Sequence, residues 1–167
     1  MAPQDFIDHA KFLLKSEKGK PKQIALRRSI SAAYYALFHA FLGAAADDLV
    51  GASNRARKST AYKLVYRAFE HSNMRNLCFD AAKPTLPRKL ADQIGGEHFP
   101  EAIQVPARAF VELQGRRHLA DYDPHFRFTK SDASVAIEMA SFANDTFETA
   151  NKSDKRNFLL CMLFPVR

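Results

Sequence analysis

Cysteine is scarce in this chain of 167 residues: there are two, Cys78 and Cys161, far apart. Thiols so placed form neither a metal-ligand spacing nor a disulfide framework, which points to a reducing cytosol. The first residues, Met1 to Asp5, lack the charged-then-apolar layout of a signal peptide. Long apolar runs are also missing. The longest, Phe158 to Phe164, is far shorter than the ~20 residues that a spanning helix needs. The expectation is a cytoplasmic protein without a membrane role. Runs of alternating apolar and polar residues between hairpin turns are absent too, which argues against strands. There is no internal repeat and no low-complexity tract.

What is present is a globular composition, 47% hydrophobic and 26% charged, in a length that suits a single domain. Net charge is +7, with 25 Lys and Arg against 18 Asp and Glu. That balance permits nucleic-acid binding through phosphate attraction without establishing it. Apolar spacing predicts an all-α bundle of four or five main helices. They fall at about 4–17, 21–48, 53–71, 101–120 and 131–150, with a short one at 153–163. Pro106 is expected to kink or restart the fourth. Residues 72–100, with Pro84, Pro87, Gly95, Gly96 and Pro100, read as an irregular insert holding one short helix at 87–94. The apolar tail from Phe158 is expected to pack onto the core or a dimer interface.

The second helix has two useful faces. Leu26, Ile30, Ala33, Leu37, Phe41 and Ala44 share one apolar sector at ~100° per residue. Nearly opposite stand Arg28, Ala32, Tyr35 and His39. A cation, a phenol and an imidazole on one line suggest a face that meets a second core layer, a partner or a polyanion. The other informative stretch is Phe110 to Pro124. On a helix, Phe110, Leu113, Gln114, Arg117 and Asp121 share a side, and Arg117 and Asp121 are spaced to form a charge-assisted pair.

Together, the run Leu26–Leu42 and the run Arg117-His118-Leu119-Ala120-Asp121-Tyr122-Asp123-Pro124 resemble the HEPN domain family, above all its small stand-alone prokaryotic members. The resemblance implies an up-and-down helical bundle and a homodimer in which fourth-helix residues of two subunits approach. It further implies RNA or a nucleotide as ligand. Many members are metal-independent endoribonucleases that use an Arg, a polar neighbour and a His shortly after. Others sit beside a nucleotidyltransferase partner in toxin–antitoxin or phage-defence modules. Arg117 matches the motif arginine. Tyr122 stands where the shortest form of the motif would put His, and neither His118 nor His125 has the motif spacing.

That departure matters because His suits both proton transfers of RNA cleavage, whereas a phenol with a pKa near ~10 suits the base role poorly. Arg can still hold phosphate. The candidate catalytic residues are therefore Arg117, Asp121, Tyr122 and His39. Candidate phosphate or RNA contacts are Arg28, Tyr35, Arg116 and His118. No metal and no cofactor is expected, since His9, His71 and His98 have no companions at ligand spacing. Basic residues also gather at Lys15, Lys18, Lys20, Lys22, Arg27 and Arg28, and at Arg55, Arg57, Lys58, Lys63 and Arg67, mostly as solvated surface. Two functions follow: an RNA- or nucleotide-binding protein with or without ribonuclease activity, or a non-catalytic module that dimerises and docks a nucleotidyltransferase-type partner. A helical DNA-binding regulator ranks last, for want of helix-turn-helix spacing.

Overall fold

A computed structural model describes residues 2–15 and 20–165. Lys18 and the expected end of the first helix near Glu17 lie outside the described residues. The protein is an all-α helical bundle with nine helices and no strand among the described residues. These are α1 (Pro3–Lys15), α2 (Gln23–Leu49), α3 (Asn54–Arg57), α4 (Thr60–Arg67), α5 (His71–Ala81), α6 (Arg88–Ile94), α7 (Glu101–Tyr122), α8 (Lys130–Thr149) and α9 (Lys152–Leu163).

Three sequence expectations change. The third helix, expected as one piece, is two. Ser53 and Ser59 each turn a hydroxyl onto a backbone N–H three residues on, Ala56 at 3.1 Å and Tyr62 at 3.2 Å. Each starts its own helix, because such a cap satisfies a donor that the first turn leaves orphaned. The segment expected to be irregular is largely helical: α5 buries Met74, Leu77, Cys78 and Ala81 on one side, and α6 follows it. Pro106 does not break α7, which runs through it. Residues 23–50 form a helix long and apolar enough to cross a bilayer by length and composition, and 78% of its apolar 18-residue window is buried inside the protein.

The chain divides into two compact units. Unit 1 comprises residues 1–39 and 109–145. Its core is Ile7 and Ala10 from α1, Ile30, Ala33, Tyr34 and Leu37 from α2, Phe110 and Leu113 from α7, and Ala133, Ala136 and Ala140 from α8. Both predicted faces of α2 are covered here. Ala32 is buried and Tyr35 and His39 are half-buried, leaving Arg28 exposed. Inside this core the Ser29 hydroxyl donates to the Ala10 carbonyl at 2.9 Å, which ties α2 to α1 and leaves no buried hydroxyl unsatisfied there.

Unit 2 comprises residues 40–108 and 146–167. Phe41, Phe99, Phe147 and Phe158 are buried together, with edge-to-face rings at 4.9 Å for Phe41–Phe147 and 5.4 Å for Phe41–Phe158. The apolar tail thus packs into a core, as α9. Cys78 and Cys161 are free and buried, and burial pushes both thiols up. Asp47 of α2 ties down the next two helices. It accepts from Arg57 Nε at 3.0 Å and Nη2 at 2.5 Å, and from the Tyr62 hydroxyl at 3.0 Å.

Burial first, then the hydrogen bond to Asp47 and its charge, push the Tyr62 phenol up to about 12. A raised pKa means that the folded state favours the protonated phenol. Its stabilisation is therefore complete below the ordinary tyrosine value of about 10 and fades as pH climbs towards 12. In Tyr62→Phe, stability should fall less steeply between pH 10 and 12 than in the wild type, as read from urea midpoints. Equal slopes would mean that neither burial nor Asp47 raises the Tyr62 phenol in the folded protein.

Candidate functional site

All eight residues singled out from the sequence lie within unit 1, on α2 and α7. The last turn of α7 carries Asp121 and Tyr122, and the chain after it is held firmly. Arg27 of α2 donates to four backbone carbonyls there: Leu119 at 3.3 Å, Ala120 at 2.8 Å, Asp123 at 2.7 Å and Phe126 at 2.6 Å. A guanidinium suits this position because helix C-termini leave carbonyls unpaired and carry partial negative charge. Asp123 Oδ1 accepts from the backbone N–H groups of His125 and Phe126. Gln23 bonds Phe128 reciprocally through its side-chain amide, at 2.6 and 3.0 Å. Arg27, which the sequence left as solvated surface, is thus the residue that positions the site.

Arg117 lies at the centre of a polar network. Its Nη2 donates to the Tyr35 hydroxyl at 3.1 Å, and its Nε lies 2.7 Å from Asp121 Oδ2, with both side chains 20% exposed. That Nε–H is not aligned on the carboxylate, so the contact is an ion pair rather than a directed hydrogen bond. The other Asp121 oxygen accepts from the Ser31 hydroxyl at 2.7 Å. The Arg117 guanidinium also sits 5.9, 5.6 and 5.4 Å from the ring centroids of Tyr34, Tyr35 and Tyr122, within cation–π range. Burial pulls its pKa down, but Tyr35, Asp121 and Tyr122 outweigh that, and the value stands above the ordinary one. Arg117 is held as a permanent cation.

Beside this network is an open cleft of about 460 Å³, lined by Ile24, Arg27, Arg28, Ala120, Asp121, Tyr122 and Pro124. Arg28 is exposed and forms no ion pair among the described residues. Tyr122 is 63% exposed, and its ring stands 5.0 Å from that of exposed His118. The cleft therefore joins a free cation, a carboxylate fixed by two partners, and an aromatic face.

The remaining candidates are placed differently. His39 stacks on Phe6 of α1 at 4.7 Å and meets Phe38 edge-on. Tyr35 touches both His39, at 6.1 Å between rings, and Arg117. Arg116 pairs with Glu112 at 2.8 Å one turn back along α7. Ser31, Ile24 and Pro124 were not expected. Ser31 had a legible signal, being one turn from Tyr35 on α2; Ile24 and Pro124 had none. No group of three or more His, Cys, Asp and Glu among the described residues could hold a metal ion. No family model, no curated protein and no solved structure matches the chain.

Proposed function

We propose that this is a HEPN-type protein that binds RNA or a nucleotide through phosphate contacts in the unit 1 cleft. The observation that carries this reading is the presence of an exposed, unengaged Arg28 guanidinium and the exposed Tyr122 ring in one cleft. A guanidinium matches phosphate geometry, and a ring offers a base a stacking partner. Asp121, held by Ser31 and Arg117, supplies an acceptor for a ribose hydroxyl. Arg117 acts through Asp121 and Tyr122 rather than by reaching solvent.

The sharper form of this proposal is metal-independent ribonuclease activity, in a cytoplasmic homodimer of the toxin or defence kind. His118, exposed beside Tyr122, supports it over His39, whose ring is stacked against Phe6. A second reading also has an observation in its favour. Arg117 is engaged internally by a phenol, a carboxylate and three rings, as befits a structural arginine in a non-catalytic module that docks a nucleotidyltransferase-type partner.

The purified protein, incubated with a mixed RNA pool without added metal, separates these readings. Binding that Arg28→Ala weakens roughly tenfold, the value of one charge-assisted contact, is expected. Cleavage lost in His118→Ala with binding retained would establish the ribonuclease form. Absence of both binding and cleavage in the wild type would leave the docking module.

A further inference from the structure

Positive charge gathers in two stretches of this chain, residues 18–28 and residues 54–68. Residues 54–68 hold Arg55, Arg57, Lys58, Lys63 and Arg67 and no carboxylate, so fifteen residues carry five of the seven net charges. They form α3, α4 and their flanks, wholly within unit 2. Asp47 engages Arg57. Arg55, Lys58, Lys63 and Arg67 are exposed and form no ion pair among the described residues.

This is not the pattern of a merely solvated face. Such a face intersperses Glu with Lys, and i,i+4 pairs of opposite charge support the helix. Here Lys63 and Arg67 are an i,i+4 pair of like charge, which weakens a helix of eight residues. The element is nonetheless built firmly. Ser53 and Ser59 cap its two helices, Asp47 holds Arg57 and Tyr62, and the Tyr62 and Tyr66 rings stack at 6.2 Å. A capped and tethered element that gathers cations at a cost to its own helix has the charge that suits a polyanion.

We propose that Arg55, Lys58, Lys63 and Arg67 form a docking surface for the phosphodiester backbone of RNA. The inference stands on this charge asymmetry and does not require the unit 1 cleft to bind anything. Charge complementarity selects the occupant. Four bare cations without a carboxylate suit a chain of phosphates, where contacts add and salt competes. An anionic membrane surface fits less well: a helix lying in an interface needs an apolar stripe, and the solvent side of α4 has one large apolar side chain, Leu64, 66% exposed.

The test is fluorescence anisotropy with a labelled oligouridylate of about 20 nucleotides, with affinity measured against salt. The variants are Lys63→Gln with Arg67→Gln, the same pair with Arg55→Gln and Lys58→Gln added, and Arg28→Ala. All change exposed side chains, and circular dichroism verifies that each is folded. The fourfold variant should lose roughly tenfold or more in affinity, and its salt slope should shrink by about 3, the share of four phosphate contacts on a single strand. The double variant should fall between. Uridine monophosphate, too short to span the surface, should bind the fourfold variant and the wild type alike. An unchanged affinity and slope in the fourfold variant would overturn the proposal. So would a wild type that binds phosphatidylserine vesicles but not the oligonucleotide. Loss in the fourfold variant with Arg28→Ala unaffected would uphold this surface while removing the cleft reading; the reverse pattern would do the opposite.

Discussion

Replacing Arg27 with Met should destabilise the protein by about 3 kcal/mol, because hydrogen bonds from a charged donor are worth about 1.5–3 kcal/mol and a truncated network leaves acceptors unpaired. The guanidinium serves four carbonyls at the end of α7 and in the turn beyond it, the shortest at 2.6 Å, and its Cζ lies 5.9 Å from the Phe128 ring. Met keeps the length of the apolar stem and removes the donors. Calorimetry should show a melting temperature lower by roughly 6–12 °C for a chain of this size. Lys, with a single ammonium, should restore part of the loss, since it keeps the charge at the helix C-terminus but cannot bridge divergent acceptors. Arg28→Ala, one residue further on and exposed, should stay within about 0.5 kcal/mol of the wild type. If Arg27→Met melts like Arg28→Ala, the turn after α7 is held by Gln23 and Asp123 alone. The contrast also separates two adjacent arginines that look interchangeable in the sequence: Arg27 is bonded to four backbone carbonyls, and Arg28 is exposed in the same cleft.

Phe158→Ala should cost about 3–5 kcal/mol, the range for removing a fully buried aromatic ring. Phe158 is 0% exposed and lies 5.4, 5.7 and 6.3 Å from the rings of Phe41, Phe99 and Phe147. The ring therefore holds α9 to two other helices, α2 and α8, and to the connection that precedes α7. A cavity among three packed aromatic rings collapses poorly, which puts the effect towards the upper end of that range. Phe158→Leu should recover much of the loss by filling the space without the edge-to-face contacts. The measurement is the urea midpoint at constant slope. A loss below about 1 kcal/mol would show that α9 is a peripheral strap and not part of the unit 2 core.

Much of this fold is legible in the sequence, and what is not has physical causes. The positions of α1, α2, α7 and α8 are legible because each carries a long run of apolar residues at helical spacing; the starts of all four, and the ends of α2, α7 and α8, agree with the structure within a few residues. The break between α3 and α4 falls in a polar stretch, residues 53–60, where no apolar period marks either helix; only the repeated serine six residues apart betrays two caps. The α5 helix escapes because its N-cap, Glu70, makes no side-chain cap and its apolar side is only four residues long, Met74, Leu77, Cys78 and Ala81, in a segment whose prolines and glycines draw attention first. Pro106 does not restart the helix, because α7 is continuous from Glu101 to Tyr122 and buries Ala107, Phe110 and Leu113 just after it.

At the candidate site, the Arg117–Asp121 spacing leads directly to the observed ion pair. Tyr35 as its third member follows from the polar stripe on α2. The role of Arg27 could not be read, because backbone carbonyls have no sequence signature and four of them receive its donors. Nor could His39 be placed, as an imidazole packed on a phenyl ring has the same spacing as one facing a ligand.

The most direct test of the central claim, that RNA or nucleotide phosphate occupies the unit 1 cleft, is to map where RNA touches the protein. Ultraviolet crosslinking to a uridine-rich RNA, followed by mass spectrometry of the labelled peptides, does this. The account predicts a crosslink at Tyr122, the exposed ring of the cleft, which weakens with Arg28→Ala. Efficient crosslinking confined to other surfaces, with residues 117–125 unmodified, would contradict it.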